Sequence, residues 1–252
     1  MVRIIYLLFS LLLSFSVKAD LTNNWIVNKV YISDSTYTKK VSPDDPVYVN
    51  RVFQWSENEI KTNIYSGDFI EKCTNYKLDK FTIHVDEFLN KIGMIDSKQM
   101  LRYDFLNKDG NQSVNQIDIF CPNIQTTWTL FEKNADAYLI MNTDDSILEI
   151  NKIKYQDTVP SFSCSKAKKL AEKLICQNIY LSGLDRSIHD IYHNIKKYYD
   201  YNNAHIEFEK IKGNQKRFIQ QRDLCLNEKC LMEIMYKHAY ELHEYMPVVT
   251  PY

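Results

Sequence analysis

Two different hydrophobic periods divide the chain. Before about residue 155, short β-branched and aromatic runs alternate with polar positions and are separated by Asn, Asp and Gly, as in β-strands. After Pro160, apolar residues recur every three or four positions, as in amphipathic helices. The change predicts an α+β protein with two domains, a β-rich barrel or sandwich at residues 20–155 and a helical bundle at residues 160–246.

The β-rich domain contains one predicted helix among its strands. This helix covers residues 87–92, with Asp86 as its N-cap. Tryptophans are expected in the core, because aromatic side chains dominate small cores; these are Trp25, Trp55 and Trp128. The predicted strands are residues 24–32, 47–55, 59–65, 76–84, 114–121, 126–132, 137–142 and 147–153.

The helical domain contains four predicted helices. Ser165 is suited to cap the first helix and Asn227 the last. Leu170, Leu174 and Ile175 are expected on the buried face of the first helix. The short connections favour antiparallel packing around a shared core. The predicted helices are residues 165–176, 181–200, 204–224 and 227–245.

The first 19 residues predict a secretory signal peptide. Arg3 precedes an apolar run at 4–17, and the small residue Ala19 precedes the expected cleavage site before Asp20. The run is shorter than the roughly 20 residues of a membrane span. We therefore expect a mature chain without a membrane anchor, located in the periplasm.

Charge argues against a nucleic-acid partner. The whole chain carries 31 Lys+Arg and 32 Asp+Glu. Residues 20–159 carry 15 basic and 21 acidic residues, net −6, and residues 160–252 carry 14 and 11, net +3. Neither value is the strongly basic balance of a nucleic-acid-binding domain.

Six cysteines in an exported chain predict disulfides. Six cysteines allow fifteen pairings, of which sequence proximity favours one set: Cys73–Cys121, Cys164–Cys176 and Cys225–Cys230. The alternative is a zinc site, which these spacings fit poorly. No metal or cofactor is expected.

The helical half resembles a known family. The matching segments are Pro160-Ser161-Phe162-Ser163-Cys164, Glu172-Lys173-Leu174-Ile175-Cys176, Leu184-Asp185 with Tyr192, Gln215 with Phe218, Arg222-Asp223-x-Cys225 and Cys230-Leu231. With these segments the helical half is similar to the LprI family of lysozyme inhibitors, also called the DUF1311 domain. It differs at Phe218, where the family usually has Trp, and at Met235 and His238, where it often has Tyr and Arg.

The first half is similar to the domain that often precedes this module in proteobacterial secreted proteins. The matching segments are Trp25-Ile26-Val27, Asp44-Asp45-Pro46 and Asn50-Arg51, with Asn50 in place of Gly. The resemblance implies a periplasmic inhibitor or immunity protein that binds and blocks a lysozyme-like muramidase or antibacterial effector. The alternative is a periplasmic module that binds a small ligand or cell-wall fragment without inhibiting an enzyme.

Two groups of residues carry an enzymatic alternative. His189 and His193, with Asp190 between them, have the spacing of a zinc-protease helix, but both histidines lie off the apolar stripe. We interpret them as a solvated face. Asp44 and Asp45 are a possible acid/base pair that fits a turn better, because prolines flank them. We therefore predict a protein that is not an enzyme.

Two loops are the candidate contact surfaces. The corner at 226–229 lies inside the Cys225–Cys230 pair, and Lys229 and Asn227 are its candidate contact residues. Arg222 has two interpretations, an ion pair at a helix end, which we favour, and a contact residue. The second loop is 33–45, where the candidate residues are Tyr37, Lys39 and Lys40.

Overall fold

A curled, fully antiparallel sheet of nine strands forms the first part of the protein. The computed structural model describes residues 23–32, 41, 43–64, 70–91, 113–141, 146–153 and 160–246. The strands are β1 Asn24–Tyr31, β2 Val52–Trp55, β3 Glu59–Thr62, β4 Glu71–Thr74, β5 Lys77–His84, β6 Ser113–Cys121, β7 Thr126–Asn134, β8 Ala137–Met141 and β9 Ile147–Ile153. The α+β class is confirmed.

The strand order places the first and last strands side by side. The order is β4-β3-β2-β1-β9-β8-β7-β6-β5, so two meanders meet at β1 and β9. The Cys73–Cys121 disulfide connects β4, one end of this order, to β6 near the other end. Asn123, which follows β6, adds two hydrogen bonds to β4, from Thr74 N to Asn123 Oδ1 (2.9 Å) and from Asn123 Nδ2 to Lys72 O (2.6 Å).

Alternation along the strands gives the sheet two apolar faces. One face holds the large core, which includes Trp25, Trp55 and Trp128, all at most 4% exposed, as predicted. The opposite face packs under helix α1, Val85–Lys91, where Phe88 lies 4.6 Å from Phe131 between ring centroids. Helix α1 begins one residue before the predicted cap Asp86, which lies in its first turn. Burial on both faces explains the apolar-rich sequence of β6 to β9.

The second part of the protein is helical. A 3-10 turn at Cys164–Lys166 precedes α2 Leu170–Gln177, α3 Ile179–Tyr201, α4 His205–Asp223 and α5 Glu228–His243. Asn178 caps α3 and Asn227 caps α5, because the side-chain oxygen of Asn178 accepts two backbone N–H groups at the helix start and that of Asn227 accepts one. None of the described helices is long and apolar enough to cross a membrane.

The predicted start of the first helix of this half was wrong. Helix α2 begins at Leu170 and not after Ser165, because the Glu172 carboxylate accepts the backbone N–H groups of Lys168 and Lys169 and fixes the start there. These two hydrogen bonds hold the pKa of Glu172 below its ordinary value. Leu170 is 48% exposed and so does not belong to the buried face on which it was expected.

The predicted strand at 47–55 was wrong in its first part. Residues 46–50 form a turn in which the Asp45 carbonyl accepts the N–H groups of residues 48 and 49, each at 3.0 Å. Asn50 ends the turn with a φ of 71°. The alternating valines at 47 and 49 resemble a strand, but the local hydrogen bonds of the turn decide the conformation.

Helix α3 packs directly on this turn. A Cβ atom on Gly183 would lie 2.2 Å from the Asn50 carbonyl oxygen, so the close approach requires glycine. The Ser187 hydroxyl donates to the Val49 carbonyl at 2.8 Å. The turn at 46–50 and α3 are therefore tightly packed, and this contact between the sheet and the helices is called the seam.

Candidate functional site

A disulfide closes the corner between α4 and α5, which in the structure comprises residues 224–229. Cys225 and Cys230 are bonded, as predicted, with their Cα atoms 5.6 Å apart. Cys225 is buried, and the Asn227 side chain accepts the Cys230 N–H at 2.9 Å. The corner is thus fixed by a covalent bond, a helix cap and a buried anchor.

Two leucines project from this corner into solvent. Leu224 is 79% exposed and Leu226 is 78% exposed, although Cys225 between them is 1% exposed. Lys229 and the cap Asn227 are also exposed. Single exposed apolar residues are common on protein surfaces, but two on a rigid corner can form the apolar anchor of an interface.

Both ends of α2 are attached to the same corner. The Lys169 ammonium bonds the Asp223 carboxylate, and Asn178 Nδ2 donates to Glu228 Oε2 at 2.9 Å. The predicted Cys164–Cys176 disulfide holds the preceding segment against α2. Leu170, next to Lys169, adds a third exposed apolar side chain at this end of the helical part.

Arg222 lies behind the corner in an ion-pair network. Its guanidinium donates to Asp223 Oδ1 at 2.9 Å and lies 3.7 Å from Asp185 Oδ1. Asp185 Oδ2 also accepts the N–H and hydroxyl of Ser161. Burial disfavours ionisation of Asp223, but the hydrogen bonds from Lys169 and Arg222 outweigh it and lower its pKa. The structure thus contains the ion pair that the sequence favoured, and Arg222 supports the corner from within.

The candidate residues of the second loop, Tyr37, Lys39 and Lys40, fall outside the described residues. The rings of His189 and His193 are exposed and lie parallel, with centroids 6.0 Å apart. Among the described residues, no group of three His, Cys, Asp or Glu side chains is placed to hold a metal ion.

Asp44 and Asp45 hold the turn at the seam. Asp44 Oδ1 accepts the Val30 N–H at 3.1 Å. Asp45 is fully buried, with Oδ1 accepting the Val47 N–H at 3.0 Å and Oδ2 lying 3.1 Å from His243 Nε2 at the end of α5. The pair therefore fixes the turn and attaches the last helix to it, in agreement with the turn predicted at this site.

A groove runs between α4 and α5, and the sequence did not indicate it. Its volume is about 950 Å³, and Leu224 and Cys230 line the end nearest the corner. Phe218 and His238 stack with ring centroids 4.0 Å apart, and His238 Nε2 lies 2.6 Å from Gln215 Oε1. Burial lowers the pKa of His238 to about 4, so this imidazole is neutral at pH 7.

Comparison with known proteins gives no match. No family model, no curated protein and no solved structure is significantly similar to this chain.

Proposed function

We propose that this protein binds a lysozyme-like muramidase and blocks its active-site cleft with the corner between α4 and α5. The observation that carries the proposal is the pair of exposed leucines, Leu224 and Leu226, on either side of the buried Cys225. An interface of this kind is centred on a few apolar anchors with polar residues around them.

The rigidity of the corner favours inhibition. A loop that is ordered before binding loses little conformational entropy when it enters a cleft. The disulfide and the Asn227 cap supply that order here. A segment in an active-site cleft excludes substrate by occupying its place.

The charge of the corner fits the same target. A muramidase cleft contains two carboxyl groups on either side of the scissile bond. Lys229 is an exposed cation beside the leucines. Its ammonium group is suited to lie near these carboxylates, because a desolvated ion pair of opposite charges contributes to the specificity of an interface.

The remaining features of the proposal come from the sequence. The likeness of the helical half to LprI-type inhibitors supports the muramidase as target, including an effector of a rival bacterium that this protein would neutralise as an immunity protein. We place the protein in the periplasm, with its signal peptide removed after Ala19. We also propose a β-rich domain and a helical module as its two units, joined through the seam at Gly183.

The test is a lysis assay with a panel of muramidases and cell walls as substrate. The oxidised mature chain is expected to protect the walls against at least one of these enzymes. The double substitution Leu224→Ser/Leu226→Ser is expected to weaken that inhibition about a hundredfold, because it removes two anchors of about 1.5 kcal/mol each. Lys229→Glu is expected to weaken it by repulsion from the carboxylates.

Ile206→Ser is the matched control for the leucines. Ile206 is 86% exposed at the opposite end of α4, so its substitution tests loss of apolar surface away from the corner. It is expected to leave inhibition unchanged. Failure of the mature chain to protect walls from any muramidase would refute the proposal. If soluble wall fragments then raised its Tm, the alternative of a binding module without inhibitory activity would be favoured.

A further inference from the structure

The groove between α4 and α5 continues the surface of the corner. Leu224 belongs to both, since it projects from the corner and lines the end of the groove. All of the lining residues come from α4, α5, the corner or the turn after α5. Among the described residues, the groove therefore has two helical walls and is open along its outer side.

We propose that this groove receives an amphipathic helix of the same hydrolase, with acidic residues beside its apolar stripe. The inference rests on the proposed function and adds a second contact to it. Binding of one helix between two others is a common mode of peptide recognition, because it buries an apolar stripe along a preformed trough. The new helix would lie along the groove, between α4 and α5, as an additional member of the helical part.

The apolar and charged side chains of the groove are arranged for such a helix. Phe218 is buried at its base and Ile234 is half-buried. Arg217 on α4 and Lys237 on α5 are exposed and stand on opposite walls. A partner helix that places apolar residues on the base thus brings its flanks beside a cation on each side, which selects acidic flanks.

The carboxylates of the groove lie away from its centre. Glu241 is one turn beyond Lys237 on α5, and Glu244 is about one turn further. Glu241 is 3.7 Å from the Lys237 ammonium, but both side chains are more than half exposed, so the pair is weak. His238 is neutral at pH 7 because burial lowers its pKa to about 4. The two cations therefore lie in the middle of the groove, and both carboxylates lie towards the end farthest from the corner.

The length of the groove also suits a helix. Its α4 wall extends from Asn214 to Leu224, which at 1.5 Å per residue is about 15 Å, or nearly three helical turns. A segment of this length presents apolar residues at three or four positions of one stripe. The corner at the end of the groove then reaches the cleft while the helix fixes the orientation of the complex.

The test uses the oxidised mature chain and a muramidase that it inhibits, with affinity measured by calorimetry. Arg217→Glu/Lys237→Glu reverses both groove cations and is expected to weaken binding about tenfold or more. The control is Lys210→Glu/Lys216→Glu, which makes the same change of net charge at two exposed α4 positions that do not line the groove. The control is expected to change the affinity by less than about twofold.

Hydrogen exchange of the complex identifies the occupant. Slower exchange is expected in α4 and α5 along the groove and in a helical segment of the hydrolase that contains Asp or Glu. Unchanged affinity in the groove variant, with inhibition still lost in the leucine variant, would overturn the helix site and leave the proposed function intact. Absence of binding to every muramidase would refute both. A concentration-dependent dimer of the chain that the groove variant abolishes would assign the groove to a second copy instead.

Discussion

Gly183 offers the sharpest test of the packing between the helices and the sheet. In the Gly183→Ala variant the new methyl carbon would lie 2.2 Å from the Asn50 carbonyl oxygen, more than 1 Å inside ordinary contact. The obstacle is a backbone atom, and Asn50 is held in a turn with a φ of 71° and by a hydrogen bond from its Nδ2 to Asp190 Oδ2 at 3.2 Å. The helix must therefore move away from the turn.

The magnitude follows from two opposing effects. Replacing glycine by alanine inside a helix stabilises it by about 1 kcal/mol. Overpacking by one carbon in a tight contact costs about 1–3 kcal/mol, and a contact with backbone lies at or above the upper end. We expect the free energy of unfolding of Gly183→Ala to fall by about 2 kcal/mol or more, with the hydrogen bond from Ser187 to Val49 lengthened.

Gly213→Ala provides the matched control. Gly213 lies inside α4, and a Cβ atom there would meet nothing within 4 Å. The same chemical change is expected to raise the free energy of unfolding by about 1 kcal/mol, since only the helix propensity changes. The assay is urea denaturation of both variants with all three disulfides intact. The reasoning would be refuted if Gly183→Ala were as stable as Gly213→Ala.

Three further predictions concern the corner, the buried histidine and the seam. Removal of the corner disulfide in Cys225→Ser/Cys230→Ser is expected to lower the free energy of unfolding by about 2 kcal/mol, a modest loss because the closed loop is short; urea denaturation measures it. The same variant is expected to lose inhibition in the lysis assay. His238 has a folded-state pKa of about 4, below its unfolded value, so its contribution to the free energy of unfolding is complete above about pH 6.5 and is lost as the pH falls towards 4. This loss of stability is at most about 3 kcal/mol. It is expected to be absent from His238→Gln when unfolding is measured from pH 7 to 4. Asp45→Ala is expected to cost about 2–3 kcal/mol, and a double-mutant cycle with His243→Ala, measured by urea denaturation, to give a coupling energy of about 1 kcal/mol or more.

Each of these predictions has a contrary outcome. Full inhibition by the chain without its corner disulfide would show that a preformed corner is not needed. An equal loss of stability at low pH in the wild type and in His238→Gln would assign the loss to other groups. Additive effects of the substitutions at Asp45 and His243 would mean that this pair does not connect the turn to α5.

The sequence predicted the elements whose signals are local. Asn227 was recognised as a cap because a side-chain acceptor stood directly before an apolar helical period. The three disulfides followed from the spacing of the cysteines. Helices α3, α4 and α5 lie within two residues of their predicted bounds, because a sustained apolar stripe marks a helix independently of its neighbours.

Other features depend on contacts between distant residues, which a single sequence does not display. Strand β4 is four residues long and was missed, since its identity comes from pairing with β3. Leu170 matched the buried stripe by spacing, yet only the position of the helix start decides that it faces solvent. The groove depends on the packing of α4 against α5, and no residue pattern in either helix marks it.

The central pairing of the sheet has a consequence for folding. Strand β1 pairs with β9, whose residues follow it by more than a hundred positions, and these two strands join the meanders into one sheet. During synthesis, β1 is made early, and the edge of β1 that pairs with β9 stays unpaired until β9 has been made. An exposed strand edge is a site of aggregation, so a holding chaperone that covers the early segment should improve the yield of correctly oxidised protein.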